Sequence, residues 1–402
     1  MASDCYMHTV LLHLLHPGIQ YLYVSVTELN KEDWDDFFNE VATRAPHITC
    51  LNLFCEAANS YLIDKSEDDF AFISGLHELQ ELHLAEYFLS PALLSILAGL
   101  PDLEIINFDD PEREHIEARG ARPESVPLPS LPPESFPSLD ELSIPGALGD
   151  IRVFFSQRNA PRNITTLRIF GLEVDTTSSV RQFLEFTVET CPYLEEFALR
   201  CFSGDVTSAN DTGPNPEIDL SFAHFRPLLR LHDLIRFECY NFNPLLITAN
   251  DLSEMARNWP KIEFIHLTPE PWHLMDPSLK LSDLSIVASQ FENLVHLGIY
   301  LDARSTSDLP EIVTRFPALR SIFFGTSPIS NYERVAPYVM DMCPELEYYV
   351  DADDFTCATS ASAERGVEDY SYTYNIQWNR VFQMFRSKGL DGTNYVMLYE
   401  SD

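Results

Sequence analysis

Apolar and polar positions recur along the chain in an eight-residue phrase, Pro-x-Leu-x-x-Leu-x-Leu, in which other apolar residues can replace leucine. The third and sixth positions are apolar in all twelve copies, and the eighth is apolar in every copy but the last, which ends in Asp351. Repetition at a roughly fixed period predicts a solenoid. The copies lie at 17–24, 46–53, 77–84, 101–108, 137–144, 162–169, 192–199, 232–239, 260–267, 292–299, 317–324 and 344–351.

The second half of each phrase has the period of a β-strand. Its sixth and eighth side chains point to one face, and its fifth and seventh side chains point to the other. The third position reaches the same core as the sixth from the turn that enters the strand. Proline at the first position stops the preceding helix and cannot donate a ladder hydrogen bond, so we expect it just before the strand.

Segments with helical periodicity fill the gaps between the phrases. In 31–44, Trp34, Phe37, Phe38 and Val41 make one apolar face, and Asn30 is a candidate N-cap. In 90–100, Ser90 is the expected cap, with proline at the first helical position. Further helices are predicted at 150–158, 179–190, 250–259, 281–291 and 331–342.

A strand followed by a helix, repeated many times, requires parallel strands. We therefore predict an α/β fold of the leucine-rich repeat class, a ribonuclease-inhibitor-like horseshoe. Its parallel sheet would line the concave face and its helices the convex face. Such an arc suits a protein or peptide ligand better than a metabolite.

The predicted solenoid covers 1–351 and is followed by a C-terminal capping segment at 352–402. Two insertions within the solenoid are predicted to be surface loops, because they are rich in polar residues and proline and lack periodicity; they lie at 109–135 and 203–217. In the cap, 376–389 is predicted to be a helix and 394–400 a last strand. At the N-terminal end, we expect a neighbouring protein or further upstream sequence to cover the first repeat, since solenoids need caps.

Composition narrows the functional classes. The formal net charge is −36, from 62 acidic and 26 basic residues, which disfavours nucleic acid and anionic membranes and favours basic partners or simply high solubility. The 8 cysteines include no C-x-x-C pair, which fits a reducing compartment, so we expect a cytoplasmic or nuclear location. No run reaches transmembrane length, and the N-terminal residues do not resemble a signal peptide.

The sequence shows no catalytic signature. It has no glycine-rich phosphate loop, no G-x-S-x-G and no H-E-x-x-H motif. We therefore predict a non-enzyme without cofactor or metal. His266 and His296 are expected on neighbouring strands. Two hypotheses remain open for them: they form a metal-binding pair, or they are two solvent-facing polar residues of a binding surface.

If the function is binding, its residues should occupy the outward strand positions. Aromatic and acidic residues together suit a partner with arginine or lysine and apolar anchors. The candidates are Tyr21, Tyr23, Glu81, His83, Glu141, Arg168, Glu196, Glu238, Phe264, His266, His296, Tyr300, Phe323 and Tyr348.

The repeats at 220–239, 246–267 and 281–299, together with 136–169, resemble the leucine-rich repeat region of fungal F-box proteins of the mushroom type. The resemblance covers about residues 10–351 and is one of repeat style. It implies the substrate-recognition part of a ubiquitin ligase receptor. The F-box that binds the ligase adaptor is not seen, since nothing in the first sixteen residues matches its Leu-Pro-x-Glu-x-Leu opening.

The sequence therefore favours two alternative functions. The first is a substrate-recognition module related to F-box proteins, which would reach a ubiquitin ligase adaptor only if an upstream F-box exists. The second is a free-standing leucine-rich repeat scaffold or inhibitor that binds a basic protein.

Overall fold

A computed structural model describes residues 13–26, 31–55, 70–85, 88–108, 128–171, 176–201, 219–241, 243–271, 274–307, 309–346, 348–349 and 370–386. The chain forms two compact units. Unit 1 comprises Met1–Glu173 and Glu189–Leu194, and unit 2 comprises Val174–Val188 and Glu195–Asp402.

The described residues of unit 1 form six parallel strands, and each strand pairs with the next one in the chain. Helices connect several of these strands, and a 3-10 turn at Ala71–Gly75 precedes the third strand. The elements are β1 (Tyr21–Val26), α1 (Lys31–Arg44), β2 (Cys50–Cys55), β3 (Glu81–Leu84), α2 (Pro91–Leu97), β4 (Ile105–Asn107), β5 (Glu141–Gly146), α3 (Leu148–Ser156) and β6 (Thr166–Gly171).

Unit 2 repeats this arrangement, with six parallel strands in chain order among its described residues. Its 3-10 turns lie at Arg226–Arg230 and Ala288–Gln290. The elements are α4 (Thr177–Thr190, whose last two residues count with unit 1), β7 (Glu196–Cys201), α5 (Phe222–Phe225), β8 (Arg236–Asn241), α6 (Ala249–Asn258), β9 (Phe264–Leu267), α7 (Leu281–Val287), β10 (His296–Ile299), β11 (Ser321–Phe323), α8 (Tyr332–Met342), β12 (Tyr348–Tyr349) and α9 (Tyr370–Arg386).

The core is built from the positions that the phrase marks as apolar, which are buried in the copies from 46–53 to 317–324, whereas Ile19 and Leu22 of the first copy are only half-buried. In the copy at 77–84, Leu79, Leu82 and Leu84 are fully buried. Leu94 and Leu97 of the following helix α2 are buried as well. Burial of each leucine side chain contributes roughly 1.5–3 kcal/mol of stability. This contribution explains why the same spacing of apolar positions recurs in the copies of the phrase.

The α/β leucine-rich repeat fold predicted from the sequence is confirmed. The helix predicted at 31–44 matches α1, and the other predicted helices are present with ends shifted by a few residues. The predicted cap at Ser90 is confirmed, since its side chain accepts a hydrogen bond from the Leu93 amide. Asn30 lies outside the described residues.

The C-terminal segment packs onto unit 2 through helix α9. Trp378 is buried, and its ring centre lies 4.5 Å from that of Phe324 with the ring planes tilted by 32°. Its indole N–H donates a hydrogen bond to the Ser327 carbonyl at 2.8 Å. The predicted strand at 394–400 and the loop at 203–217 lie outside the described residues, as does most of 109–135. The boundary at residue 351 stays a prediction.

None of the helices in the described part of the chain combines the length and the apolar character that a membrane span requires.

Candidate functional site

The fifth and seventh positions of the phrase form the open face of each unit, the strand face opposite the buried leucines. In unit 1 this face begins with two exposed aromatic side chains. Tyr21 is 74% exposed and Tyr23 is 64% exposed. Their partners in the neighbouring strand β2 are the smaller residues Cys50 and Asn52, which leave both rings accessible.

Charged residues continue the open face of unit 1. Nε2 of His83 lies 3.8 Å from a carboxylate oxygen of Glu81 within β3. Arg168 of β6 lies 3.6 Å from Glu141 of β5, and both side chains are about one-third exposed. These pairs are too exposed to contribute much stability, but they fix side chains beside the tyrosines on a rigid sheet.

The open face of unit 2 is a chain of side-chain contacts that runs across its strands. Nε of Arg236 lies 3.7 Å from Oε2 of Glu196. The guanidinium carbon of Arg236 lies 3.9 Å from the ring centre of Phe264. The ring of Phe264 stacks on His296 at 4.0 Å with an interplanar angle of 8°. Nδ1 of His296 lies 3.0 Å from the hydroxyl of Ser321. These residues are register partners from β7 to β11.

A second row of contacts runs parallel to the first. Glu238 accepts a hydrogen bond from Arg236 at 2.8 Å. His266 follows in β9, with its ring 4.7 Å from Tyr240 and its Nδ1 3.4 Å from Nε2 of His296. Its register partner in β10 is Gly298, where an added Cβ would lie only 2.4 Å from Nδ1 of His266.

Burial decides the charge states in this part of the face. Burial alone would raise the pKa of Glu238, but Arg200 and Arg236 outweigh it and hold the pKa below its usual value. Burial lowers the pKa of His266 to about 4, although Glu238 opposes the shift. Burial, with the charges of His266 and Arg236, also lowers the pKa of His296. Near neutral pH the carboxylate is therefore charged and both imidazoles are neutral.

The expectation that His266 and His296 face solvent is wrong. They are only 8% and 5% exposed, because the rings of His266 and His296 stack on each other and on Phe323 and Phe264, respectively. Tyr300 is also buried, and its hydroxyl donates to the Met275 carbonyl at 3.0 Å. These side chains hold strands of unit 2 together. The neutral imidazoles of His266 and His296 lie in hydrogen-bond contact, and two such rings do not by themselves make a metal site.

The predicted binding residues thus divide by exposure. Accessible or half-buried side chains are Tyr21, Tyr23, Glu81, His83, Glu141, Arg168, Glu196 and Phe264. Buried side chains are Glu238, His266, His296, Tyr300 and Phe323. The side chain of Tyr348 lies outside the described part of β12. A binding role for any of them stays a prediction.

Several residues of the open face were not among the candidates. Cys50, Asn52, Arg236, Gly298 and Ser321 occupy fifth or seventh positions, so the phrase itself contains the signal that places them on the face. Arg200 and Tyr240 lie two residues beyond the seventh position, on the same side of β7 and β8, and Arg200 stacks 4.9 Å from the Tyr240 ring centre.

Comparison with known proteins gives distant matches of fold. One chain of the Rad7–Elc1 complex from yeast is 14% identical, with 85% of this chain and 78% of that chain covered and a TM-score of 0.42. The leucine-rich repeat protein LegL7 from Legionella pneumophila is 13% identical, with 83% and 88% covered and a TM-score of 0.37. No family model matches the sequence, and no curated protein matches it. Similarity this low bears on the fold alone.

Proposed function

We propose that this chain is a protein-interaction module and that it binds its partner through the open face of unit 1. The observation that carries the proposal is the pair Tyr21 and Tyr23, exposed side by side on one face of β1. Neighbouring strands of unit 2 place aromatic and imidazole rings at the same positions, where Phe264 and the buried His266 stack with the buried His296. In unit 1 the two tyrosine rings remain accessible.

Tyrosines at alternate positions of a strand suit recognition. A tyrosine ring offers a large contact area, and its few rotatable bonds keep the entropic cost of binding small. Tyrosine is also among the residues enriched at the energetic centres of protein interfaces. The half-exposed charges of Glu81, Glu141 and Arg168 lie on the same face, where they would form a polar rim around an aromatic centre.

The test replaces the two rings. Affinity purification from the native source identifies a partner, and calorimetry with the purified partner then gives the dissociation constant. The double variant Tyr21→Ala/Tyr23→Ala should weaken binding about 30-fold or more, the value expected when an interface loses a hot spot. Tyr193→Ala is the matched control, since Tyr193 is 63% exposed but lies in the turn before β7.

Unchanged affinity in the double variant would show that the partner contacts another surface. Circular dichroism of the three proteins checks that folding is preserved. We expect it to be, because side chains with this much exposure contribute little to the core.

Within this role, we favour the substrate-recognition part of an F-box-type ubiquitin ligase receptor. The support is the resemblance of the repeats at 136–169, 220–239, 246–267 and 281–299 to those of fungal F-box proteins. The test is co-purification of the protein expressed from its native locus with ligase adaptor and cullin subunits. Their absence, while another partner is captured, would reject the ligase role and leave the interaction module intact.

The alternative is a free-standing scaffold or inhibitor of a basic protein, supported by the net charge of −36. On the open face of unit 2 the acids Glu196 and Glu238 already pair with Arg236, so a basic partner should find its contacts elsewhere. This alternative predicts a dissociation constant that rises steeply with salt, because screening shortens the range of charge attraction. Salt-independent binding would reject it.

A further inference from the structure

Three side chains on the open face of unit 1 bring together the donor types that bind transition metals. Cys50 of β2 is the register partner of Glu81 in β3, and His83 follows two residues later on the same face. The thiol sulfur, a carboxylate oxygen and an imidazole nitrogen all lie within 4.8 Å of one another. All three side chains are partly buried, so they are shielded but reachable from solvent.

We propose that Cys50, Glu81 and His83 form a binding site for a divalent, thiol-seeking cation, with Zn²⁺ as the best fit. A thiolate, an imidazole and a carboxylate are the three ligand types that zinc takes in proteins. Magnesium and calcium prefer all-oxygen ligands, so the sulfur argues against them. The proposal goes beyond the interaction function and does not depend on it.

The geometry requires only a small adjustment. With zinc-to-ligand bonds of about 2.0–2.3 Å, the donor atoms of a tetrahedral site lie about 3.5 Å apart. The present separations, up to 4.8 Å, exceed this by roughly 1 Å, which side-chain rotation can supply without moving the strands. Three protein ligands would leave one position for water or for a group of a binding partner.

A fourth residue supports the assignment independently. Asn52 is the register partner of His83 and lies on the same face of the sheet. Its side-chain oxygen Oδ1 is buried and has no hydrogen-bond partner in the described part of the chain. Buried oxygens of this kind are rarely left unsatisfied. A water bound to the metal would donate a hydrogen bond to it, the role that neighbours of metal ligands commonly take.

The charge balance of binding is simple. Burial, together with the charge and hydrogen bonding of Glu81, raises the pKa of the Cys50 thiol to about 11, so the thiol keeps its proton until a metal replaces it. Burial lowers the pKa of His83 although Glu81 opposes this, so the imidazole is neutral and free to donate a lone pair. Binding of Zn²⁺ therefore releases one proton from sulfur, and the two anionic ligands neutralise the cation.

The experiment uses the full chain with Zn²⁺ in calorimetry and with Co²⁺ as a spectroscopic probe. We expect one Zn²⁺ per chain at this site and, with Co²⁺, the near-ultraviolet absorption of a cobalt–thiolate bond. Cys50→Ser and His83→Ala should each weaken Zn²⁺ binding more than about 100-fold, and Asn52→Ala about 10-fold, the range for neighbours of ligands. Cys50→Ser should also abolish the thiolate band.

Cys191→Ala is the matched control. Cys191 is another thiol of unit 1, but it is fully buried and its charged neighbour is Arg162, which makes it unsuited to a cation. This variant should keep both the stoichiometry and the thiolate band. Absence of the band in the wild-type protein, or its persistence in Cys50→Ser, would overturn the proposal. Circular dichroism confirms that each variant is folded.

Discussion

At the scale of single residues, Gly298 shows how the open face of unit 2 is assembled. A glycine in the middle of a strand usually weakens it, because it adds no packing and loses more chain entropy than other residues. Here the missing side chain leaves the space that the ring of His266 occupies. The placement of the His266 ring beside His296 therefore depends on a position that has no side chain of its own.

Replacing Gly298 by alanine should destabilise unit 2 by about 1–3 kcal/mol, the usual cost of forcing extra volume into a packed region. The physical reason is the 2.4 Å approach of the new Cβ to Nδ1 of His266. Urea denaturation measures the change. Gly149→Ala is the control, because no atom lies within 4 Å of its added Cβ and alanine favours helix α3, so it should be neutral or slightly stabilising. Equal effects in the two variants would contradict this account.

His266 predicts a pH dependence of stability. Its pKa is about 4 in the folded protein against about 6.5 when exposed, so the unfolded chain binds more protons between these values. The contribution is complete above about pH 6.5 and declines as pH falls toward 4, by about 1.4 kcal/mol per pH unit for a single histidine. Between pH 7 and pH 4.5, the free energy of unfolding measured by denaturation should therefore change less with pH for His266→Gln than for the wild-type protein.

Other groups around His266 make the comparison with the variant necessary. His296 contributes with the same sign, since its pKa is lowered too, whereas burial raises the pKa of Glu270 to about 8 and acts in the opposite direction. The charges facing His266 are those of Glu238, Arg200 and Arg236, which keep their charge near neutral pH. Parallel wild-type and variant curves would mean that the His266 ring is solvated.

At the scale of elements, the helix α9 shows what a terminal segment needs in order to pack on a repeat. Trp378, Val381, Phe382 and Phe385 recur at helical spacing and are all buried. The indole N–H of Trp378 also donates a hydrogen bond to the carbonyl of the buried Ser327. One side chain thus supplies both apolar contact and a hydrogen bond, as tryptophan often does in cores.

Trp378→Ala should cost about 3–5 kcal/mol of stability in unit 2, the range for removing a large buried aromatic residue. Trp378→Phe should cost less, because it keeps the ring contact with Phe324 and loses only the hydrogen bond to Ser327. Thermal and urea denaturation separate the two values. Gln383→Ala, on the exposed side of the same helix, is the control and should change stability by less than about 0.5 kcal/mol. If all three variants resemble the wild-type protein, α9 does not stabilise unit 2.

At the scale of the whole molecule, charge is the dominant feature. With a net charge of −36, the acidic side chains repel one another in the compact state, which destabilises the folded protein. Raising NaCl from about 0.01 M to about 0.1 M shortens the screening length from about 30 Å to about 10 Å and should stabilise the protein. A gain of about 1 kcal/mol would raise the Tm by about 2–4 °C for units of this size.

Differential scanning calorimetry at the two salt concentrations checks this expectation. A control at pH 4.5, near the isoelectric point, should show little salt effect, because the net charge is then close to zero. A Tm that falls with salt at neutral pH would mean that attractive ion pairs, such as Arg304 with Asp302 and Asp276, outweigh the general repulsion.

The sequence by itself determined the order of the strands and of all the longer helices, the parallel direction of the strands and most of the buried positions. It could do so because these features depend on local periodicity. The positions of Leu79, Leu82 and Leu84 are also buried in the other copies from 46–53 to 317–324, whereas Ile19 and Leu22 of the first copy are only half-buried. The cap at Ser90 was predictable for a similar reason, since a cap depends on residues within one turn.

Only the tertiary structure decided which outward positions are accessible. Tyr21 and His296 occupy the same position of the phrase, yet one is 74% and the other 5% exposed. The difference arises from neighbouring strands: Tyr21 lies beside Cys50, whereas His296 lies between Phe264 and Ser321. Cross-strand neighbours come from repeats about thirty residues away, so no local pattern contains that information. The same pairing across strands brings Cys50 next to Glu81 and His83.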